Sequence, residues 1–183
     1  MIFFTSDLHI NHDRDFIWGA RGYEDVIEHN EDIVKIWNEI VSDEDEAYVL
    51  GDICLGGGPQ KQEDNFKILS QLKGKIHFII GNHDTPAKIK LYEKLNFINE
   101  GYANVLKYRK YNFYISHYPT STGNYDDKNL KTKTINLCGH THTTDKFADM
   151  GECGISYHVD WDAHKCPVSI DAIIKDLKDF MGE

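Results

Sequence analysis

The chain predicts an α/β fold: two packed, mixed β-sheets with helices outside, a four-layer α/β/β/α sandwich. Three observations carry this expectation. The first half alternates short apolar runs with stretches of helical period. The second half is strand-rich. No repeat, linker or low-complexity segment divides the 183 residues, so a single domain over 1–183 is expected, large enough to bury its own core.

The elements follow in order. Ile2-Phe3-Phe4-Thr5 is a short apolar strand. From Glu24 to Val41, Val26, Ile27, Ile33, Val34, Ile36, Trp37, Ile40 and Val41 recur at near-helical spacing, which reads as one amphipathic helix or two. An acidic turn at Ser42-Asp43-Glu44-Asp45 leads to the strand Ala47-Tyr48-Val49-Leu50, which ends at Gly51-Asp52. Gly56-Gly57-Gly58-Pro59 opens onto a helix from about Asp64 to Leu72. The strand Ile76 to Ile80 delivers Gly81-Asn82-His83-Asp84, and Pro86 to Leu95 is helical, with proline at a tolerated first-turn position. Ala103–Tyr108 and Tyr111–Ile115 pair around the turn Arg109-Lys110, and the second strand runs into Ser116-His117-Tyr118-Pro119. A polar loop from Thr120 to Lys133 precedes the strand Thr134 to Cys138, which presents Gly139-His140. Ile155 to Val159 is a further strand, and Ser169 caps a terminal helix reaching Phe180.

Composition excludes several classes. At 40% hydrophobic and 27% charged residues the chain is ordinary for a soluble globular protein. Its net charge of -10 argues against sequence-independent binding to nucleic acid, which needs a basic stripe. Lys128, Lys131 and Lys133 read as a solvated loop. Met1-Ile2-Phe3-Phe4 leads straight into a motif without a secretory pattern. No apolar run approaches the roughly 20 residues of a membrane span. Cys54, Cys138, Cys153 and Cys166 are scattered without a Cys-x-x-Cys pair, which suits reduced thiols in a cytoplasm. A zinc site from Cys153, His158, His164 and Cys166 matches no standard finger spacing.

Chemistry concentrates in Ser6-Asp7-Leu8-His9, Gly51-Asp52, Gly81-Asn82-His83-Asp84, Ser116-His117 and Gly139-His140-Thr141-His142. Each follows an apolar run that reads as a buried strand, where polar groups cost free energy unless paired. In α/β sheets, ligands collect at the carboxyl ends of strands. Any one segment alone could be a turn; the ordered set reads as a binuclear metal site. Glycine precedes Asp52, Asn82 and His140, where the chain turns sharply or approaches a ligand without a Cβ. Asp7 and His9, like His140 and His142, lie two apart, so an extended backbone would turn both side chains to one side. Carboxylates hold hard dications and imidazoles favour transition metals; the absence of cysteine argues against a closed structural zinc site. His12 lies near the first motif and is a candidate to line the pocket, whereas His29, His77, His158 and His164 read as surface or satisfied core residues.

This set resembles the calcineurin-like metallophosphoesterases: Asp-x-His, Gly-Asp, Gly-Asn-His-Asp, a strand-end His and Gly-His-x-His over residues 2 to 142. Trp37-Asn38, Ser116-His117-Tyr118-Pro119 and Val159-Asp160 followed by Pro167-Val168-Ser169-Ile170 look like a compact bacterial and phage-type branch. Two stretches depart from that branch, Thr120 to Asn124 and Ser156-Tyr157-His158, and both are expected at the substrate rim. The resemblance implies a hydrolase of phosphate esters, diester or monoester, with a metal-bridging hydroxide as nucleophile. One metal would be held by Asp7, His9, Asp52 and His142, the other by Asp52, Asn82, His117 and His140, with Asp52 bridging. His83 would protonate the leaving group or stabilise the transition state, oriented by Asp84. The cofactors implied are two divalent transition-metal ions drawn from manganese, iron, zinc or nickel, with manganese expected in vitro. The partner implied is a phosphate-ester small molecule or nucleotide-like substrate, with no membrane. A nuclease on the same fold is disfavoured by the acidic surface, and a silent scaffold by the presence of every motif residue.

Overall fold

Residues 1–123, 133–149 and 154–182 are described by the computed structural model, and their strands form two mixed five-stranded sheets flanked by helices. Lys128 and Lys131 of the basic run, Asn124 and Cys153 lie outside the described residues. The first sheet joins β1 (Ile2–Thr5), β2 (Glu46–Val49), β3 (Lys75–Phe78) and β4 (Ile98–Asn99) in parallel. A returning strand, β10 (Val168–Ser169), pairs antiparallel with β1. The connections are helices: α1 (Asp15–Trp18) and α2 (Val26–Ile40), then α3 (Pro59–Leu69), then α4 (Pro86–Lys94). The second sheet runs in the order β5 (Ala103–Tyr108), β6 (Tyr111–Ser116), β7 (Thr134–Cys138), β9 (Ile155–His158), β8 (Phe147–Asp149). A one-turn α5 (Trp161–His164) and the terminal α6 (Ile170–Met181) complete the chain.

Alternation along the strands builds two cores. Phe3, Ala47, Val49, Ile76 and Phe78 turn outward against Ile33 and Trp37 of α2, Leu69 of α3 and Leu91 and Tyr92 of α4. Their neighbours Phe4, Tyr48, Leu50 and Ile79 turn inward against Phe113, Ile115, Ile135, Leu137, Ile155 and Tyr157 of the second sheet, and α6 packs Ile170, Ile173, Ile174 and Leu177 into the same cluster. Trp37 is fully buried, and its indole N–H donates to the Lys73 carbonyl at 2.9 Å, so the large ring is inside without an orphaned donor.

The helix starts have visible causes. Ser169 caps α6 by accepting the Ala172 N–H, as expected, and Asp25, which the sequence reading did not name, caps α2 by accepting the Ile27 and Glu28 N–H groups. The helix expected over Asp64–Leu72 starts five residues earlier, at Pro59, and stops at Leu69. Its first turns are polar and show no apolar period, so the start is marked by Pro59 at the first helical position after Gly58. Arg109 takes a left-handed conformation (φ 53°) in the two-residue turn between β5 and β6. Among the described residues no helix is long and apolar enough to cross a membrane.

The register places the site. Thr5 pairs with Val49 and Val49 with Phe78, so β1, β2 and β3 end level. Beyond them the Asp7 N–H donates to the Gly51 carbonyl and the His9 N–H to the Asp52 carbonyl, both at 3.1 Å. On the second sheet the Gly139 N–H bonds the His117 carbonyl at 3.0 Å, and the bridge Ser6–Asp160 joins the two sheets beside it.

Candidate metal centre

Five of the candidate ligands sit in left-handed backbone: Asp7 (φ 55°), His9 (51°), Asp52 (54°), His140 (73°) and His142 (50°). The extended geometry expected for the two His-containing pairs is therefore corrected. Their side chains share a side because left-handed residues alternate with ordinary ones while the backbone stays bonded to the neighbouring loop. Such conformations are held against a penalty of about 1–3 kcal/mol each when the surroundings over-determine them, and they gather at functional sites. Glycine is required where the loops meet. A Cβ on Gly51 (φ 97°) would lie 2.5 Å from His117 Nδ1. One on Gly139 would strike Ser6 Oγ and the Asp7 carboxylate.

The motif residues converge. Asp7, His9 and His142 form one group able to hold a cation, and Asp7, Asp52 and His117 a second. Asp7 Oδ1 is buried without a hydrogen-bond partner, 3.7 Å from His9 Nε2 and 3.6 Å from His142 Nε2. Asp52 Oδ2 lies 3.5 Å from His117 Nε2 and 4.0 Å from both His9 Nε2 and His83 Nε2. Asn82 Oδ1 is 2.8 Å from His117 Nε2, and the His140 ring centroid is 5.0 Å from that of His117. Asp7, not Asp52, is common to both groups, although Asp52 faces histidines of each. His9, Asp52, Asn82, His83, His140 and His142 open on a cleft of about 440 Å³, with His12 and the apolar Phe16, Ile17 and Ala20 along one wall.

A second set of contacts aims these rings. The His117 Nδ1–H donates to the Leu50 carbonyl at 2.8 Å, which leaves its Nε2 lone pair for the cleft. His142 Nδ1 donates to Asp162 Oδ2 at 2.9 Å. Arg21 grips the same carboxylate with Nε at 2.9 Å and Nη2 at 2.8 Å, and also donates to the carbonyls of Asp7 (2.7 Å) and Leu8 (3.1 Å) and to His29 Nε2 (2.9 Å). Asp7 Oδ2 accepts from Ser6 Oγ at 2.5 Å and the His140 N–H at 2.8 Å. Arg21, Asp162 and Ser6 were not among the sequence-derived candidates. Ser6 opens the first motif and the Val159-Asp160 run lies near Asp162, whereas Arg21 stood beside no motif.

Two expectations change here. Asp84 does not orient His83 through these contacts: Oδ2 accepts the N–H groups of Gly81 (2.8 Å) and Asp52 (2.9 Å), and Oδ1 accepts the Tyr92 hydroxyl (2.8 Å). It ties the two metal loops together. The His83 side chain is about half exposed (48%), while its N–H donates to Asp52 Oδ1 and its carbonyl accepts from Lys88, each at 2.8 Å. Ser156-Tyr157-His158 is not a rim. The segment is buried β9, and His158 Nδ1 meets Thr141 Oγ1 at 3.1 Å, beneath the Gly-His-Thr-His loop. His29 and His77 are core residues, and His164 bonds the His158 carbonyl.

The electrostatics match a cation site. Burial would raise the Asp7 carboxyl, but His9, His117, Ser6 and His142 together hold it down to about 2. Burial pushes Asp52 up against the pull of His117. Burial lowers His9, keeping a neutral ligand lone pair. For His142 burial is overcome by the Asp162 hydrogen bond and the Asp7 charge, so its proton is held more tightly. Asp162, despite burial, is held well below the usual carboxylate range by Arg21 and His142. The orphaned Asp7 oxygen, buried and within 3.7 Å of two imidazole nitrogens, fits a divalent ion of transition-metal type.

Comparison with known proteins agrees with the geometry. A family model described as calcineurin-like phosphoesterase matches residues 1–176. An uncharacterized protein of Methanocaldococcus jannaschii is 32% identical over 180 residues, 95% of this chain and 89% of that one. The gene 66 protein of Mycobacterium phage D29 is 31% identical over 167 residues, 78% of each. A crystal structure of a protein of unknown function from Aquifex aeolicus superposes with a TM-score of 0.69 at 20% identity, covering 96% of this chain and 98% of that one, which speaks for the shared fold.

Proposed function

We propose that this chain, which belongs to the calcineurin-like phosphoesterase family, hydrolyses phosphate esters at two divalent ions held side by side in the cleft. The observation that carries the binuclear reading is the position of Asp52 Oδ2, which faces histidine nitrogens of both ligand groups within 4.0 Å, next to the unpartnered Asp7 Oδ1. Asp7, His9, Asp52 and His142 would hold one ion, and Asp52, Asn82, His117 and His140 the other. Ions bound there supply Lewis acidity toward phosphoryl oxygens and acidify a water.

The chain's own groups do the rest. The cleft orients the ester so that water attacks phosphorus in line and the P–O bond on the far side breaks. His83, open to the cleft while its backbone is fixed on both sides, gives its proton to the departing oxygen. Asp84 acts as a positioning group: by fastening the Asp52 and Gly81 amides it sets the distance between the bridging carboxylate and Asn82. Arg21 and Asp162 hold the His142 ring and the backbone after β1 in one piece. Manganese, iron, zinc or nickel suits this mixture of carboxylate, imidazole and amide donors. The substrate reading is a phosphate-ester small molecule of nucleotide-like kind.

His83→Ala tests the assignment. Turnover of bis(p-nitrophenyl) phosphate by manganese-loaded protein is expected to fall by roughly 10²–10⁴-fold, the range for loss of a general acid. Elemental analysis should still find two ions per chain. Metal loss on this substitution, or unchanged turnover, would contradict the role given to His83.

A further inference from the structure

Among the described residues four large aromatic side chains are exposed: Phe16 (65%), Tyr102 (76%), Tyr118 (49%) and Phe180 (42%). A scattered exposed ring needs no explanation. Two of these, however, are joined to the metal ligands ring by ring. Phe16, on the one-turn helix α1, meets His12 at 5.0 Å between centroids, and His12 meets His9 at 5.4 Å. His12 is itself pinned, its Nδ1 accepting the Arg14 N–H at 3.2 Å. Phe16 and His12 both line the cleft. On the other ligand group Tyr118 meets His117 at 5.1 Å and His140 at 4.6 Å. Phe180, by contrast, stacks on Phe147 of β8, outside the site.

The two rings thus reach the centre through different ligand groups: Phe16 through His9, Tyr118 through His117 and His140. Phe16 lines the cleft directly, and Tyr118 packs on the His140 ring, which lines it, so the two rings flank the space between the groups where a diester's two arms would emerge. The chain's net charge of -10 offers no general attraction to an anion, which gives weight to uncharged contacts in recognising what the phosphate carries. Exposed aromatic faces supply that by stacking on planar rings, and stacking is tolerant of ring identity.

We propose that this site takes phosphodiesters bearing a planar ring on each ester arm, as in a nucleoside or aryl diester, with Phe16 stacking one ring and Tyr118 the other. This rests on the hydrolase reading above. A monoester leaves one of the two rings unused and is the poorer substrate.

The test separates binding from turnover. Zinc-loaded protein is titrated calorimetrically with diphenyl phosphate and with dimethyl phosphate, and hydrolysis of bis(p-nitrophenyl) phosphate is followed in parallel. The wild type should bind the diphenyl ester about 5- to 20-fold more tightly than the dimethyl ester, a modest stacking contribution from exposed rings. Phe16→Ala and Tyr118→Ala should each narrow that gap, raising KM for the aryl diester with kcat changed less than about twofold, since each ring binds and neither reacts. Both side chains are exposed, so both variants should keep the wild-type melting temperature. Equal affinity for the two esters in the wild type, or a gap that survives in both variants, overturns the ring-stacking proposal while continued hydrolysis leaves the hydrolase reading intact. A gap that closes as expected in a protein that hydrolyses no ester upholds the stacking and overturns the hydrolase reading.

Discussion

Replacing Asp162 by asparagine removes one charge from the most connected polar cluster behind the metal centre. Arg21 and Asp162 are both largely buried, with side-chain exposures of 5% and 15%. Deleting one partner of such a pair costs about 3–5 kcal/mol when the remaining charge has nothing else. Here Arg21 keeps the carbonyls of Asp7 and Leu8, and asparagine retains one oxygen, so a loss near 2–3 kcal/mol is expected, below that range. For a chain of this size each kcal/mol moves the melting temperature by roughly 2–4 °C, which gives a fall of about 4–12 °C in metal-free protein. The same substitution weakens the acceptor that holds the His142 Nδ1 proton. Losing such an outer partner typically weakens metal binding 10- to 100-fold. On the two-ion reading proposed above, the effect should fall on the ion at Asp7, His9 and His142 and spare the one beside His117. Melting in chelator and a competitive metal titration measure the two effects separately. Unchanged melting together with both affinities within a factor of two of wild type would refute the account of this cluster.

Gly139→Ala should cut metal binding and turnover together while leaving most of the fold in place, because the added methyl meets Ser6 and the Asp7 carboxylate rather than the core; elemental analysis of the purified variant reads it directly. His29 contributes one component of the pH dependence of stability. Burial, reinforced by the Arg21 charge, lowers it from 6.5 to about 4, so between those values the unfolded chain binds a proton that the folded chain does not. Stability therefore rises with pH across that window and falls on acidification from 6.5 toward 4, by about 3 kcal/mol in all. Urea midpoints of metal-free protein at pH 7 and pH 4.5 should differ less in His29→Gln than in wild type, and an undiminished difference would clear His29 of this role.

The candidate site was legible because each motif sets a metal-type donor just beyond a strand end within two to four consecutive residues, and in three of the five a glycine precedes it. Local adjacency of that kind survives in one dimension. Arg21 and Asp162 act across 141 positions of sequence, one in a turn and the other in a four-residue helix too short to show a period. Asp84 illustrates a different limit. Adjacency to His83 suggested a partnership, yet an aspartate three residues after Gly81 can cap the Gly81 and Asp52 amides instead, and the loop geometry decides. The long strands and α2 were readable from apolar spacing; β4 and β10, two residues each, owe their pairing to neighbours already in place. His158 looked peripheral because its segment departs from the family pattern, and only the parallel pairing of β9 with β7 brings it under Thr141.

The division of the ligands between the sheets has a mechanical consequence. Asp7, His9, Asp52 and Asn82 hang from the first sheet and His117, His140 and His142 from the second, with Ser6–Asp160 as the backbone stitch beside them. Cations bound at this seam act as rivets between two plates. Stripping them should let the halves work loose at that end first, so that proteolytic nicking of the loop after β7 becomes a gauge of how fully the protein is loaded.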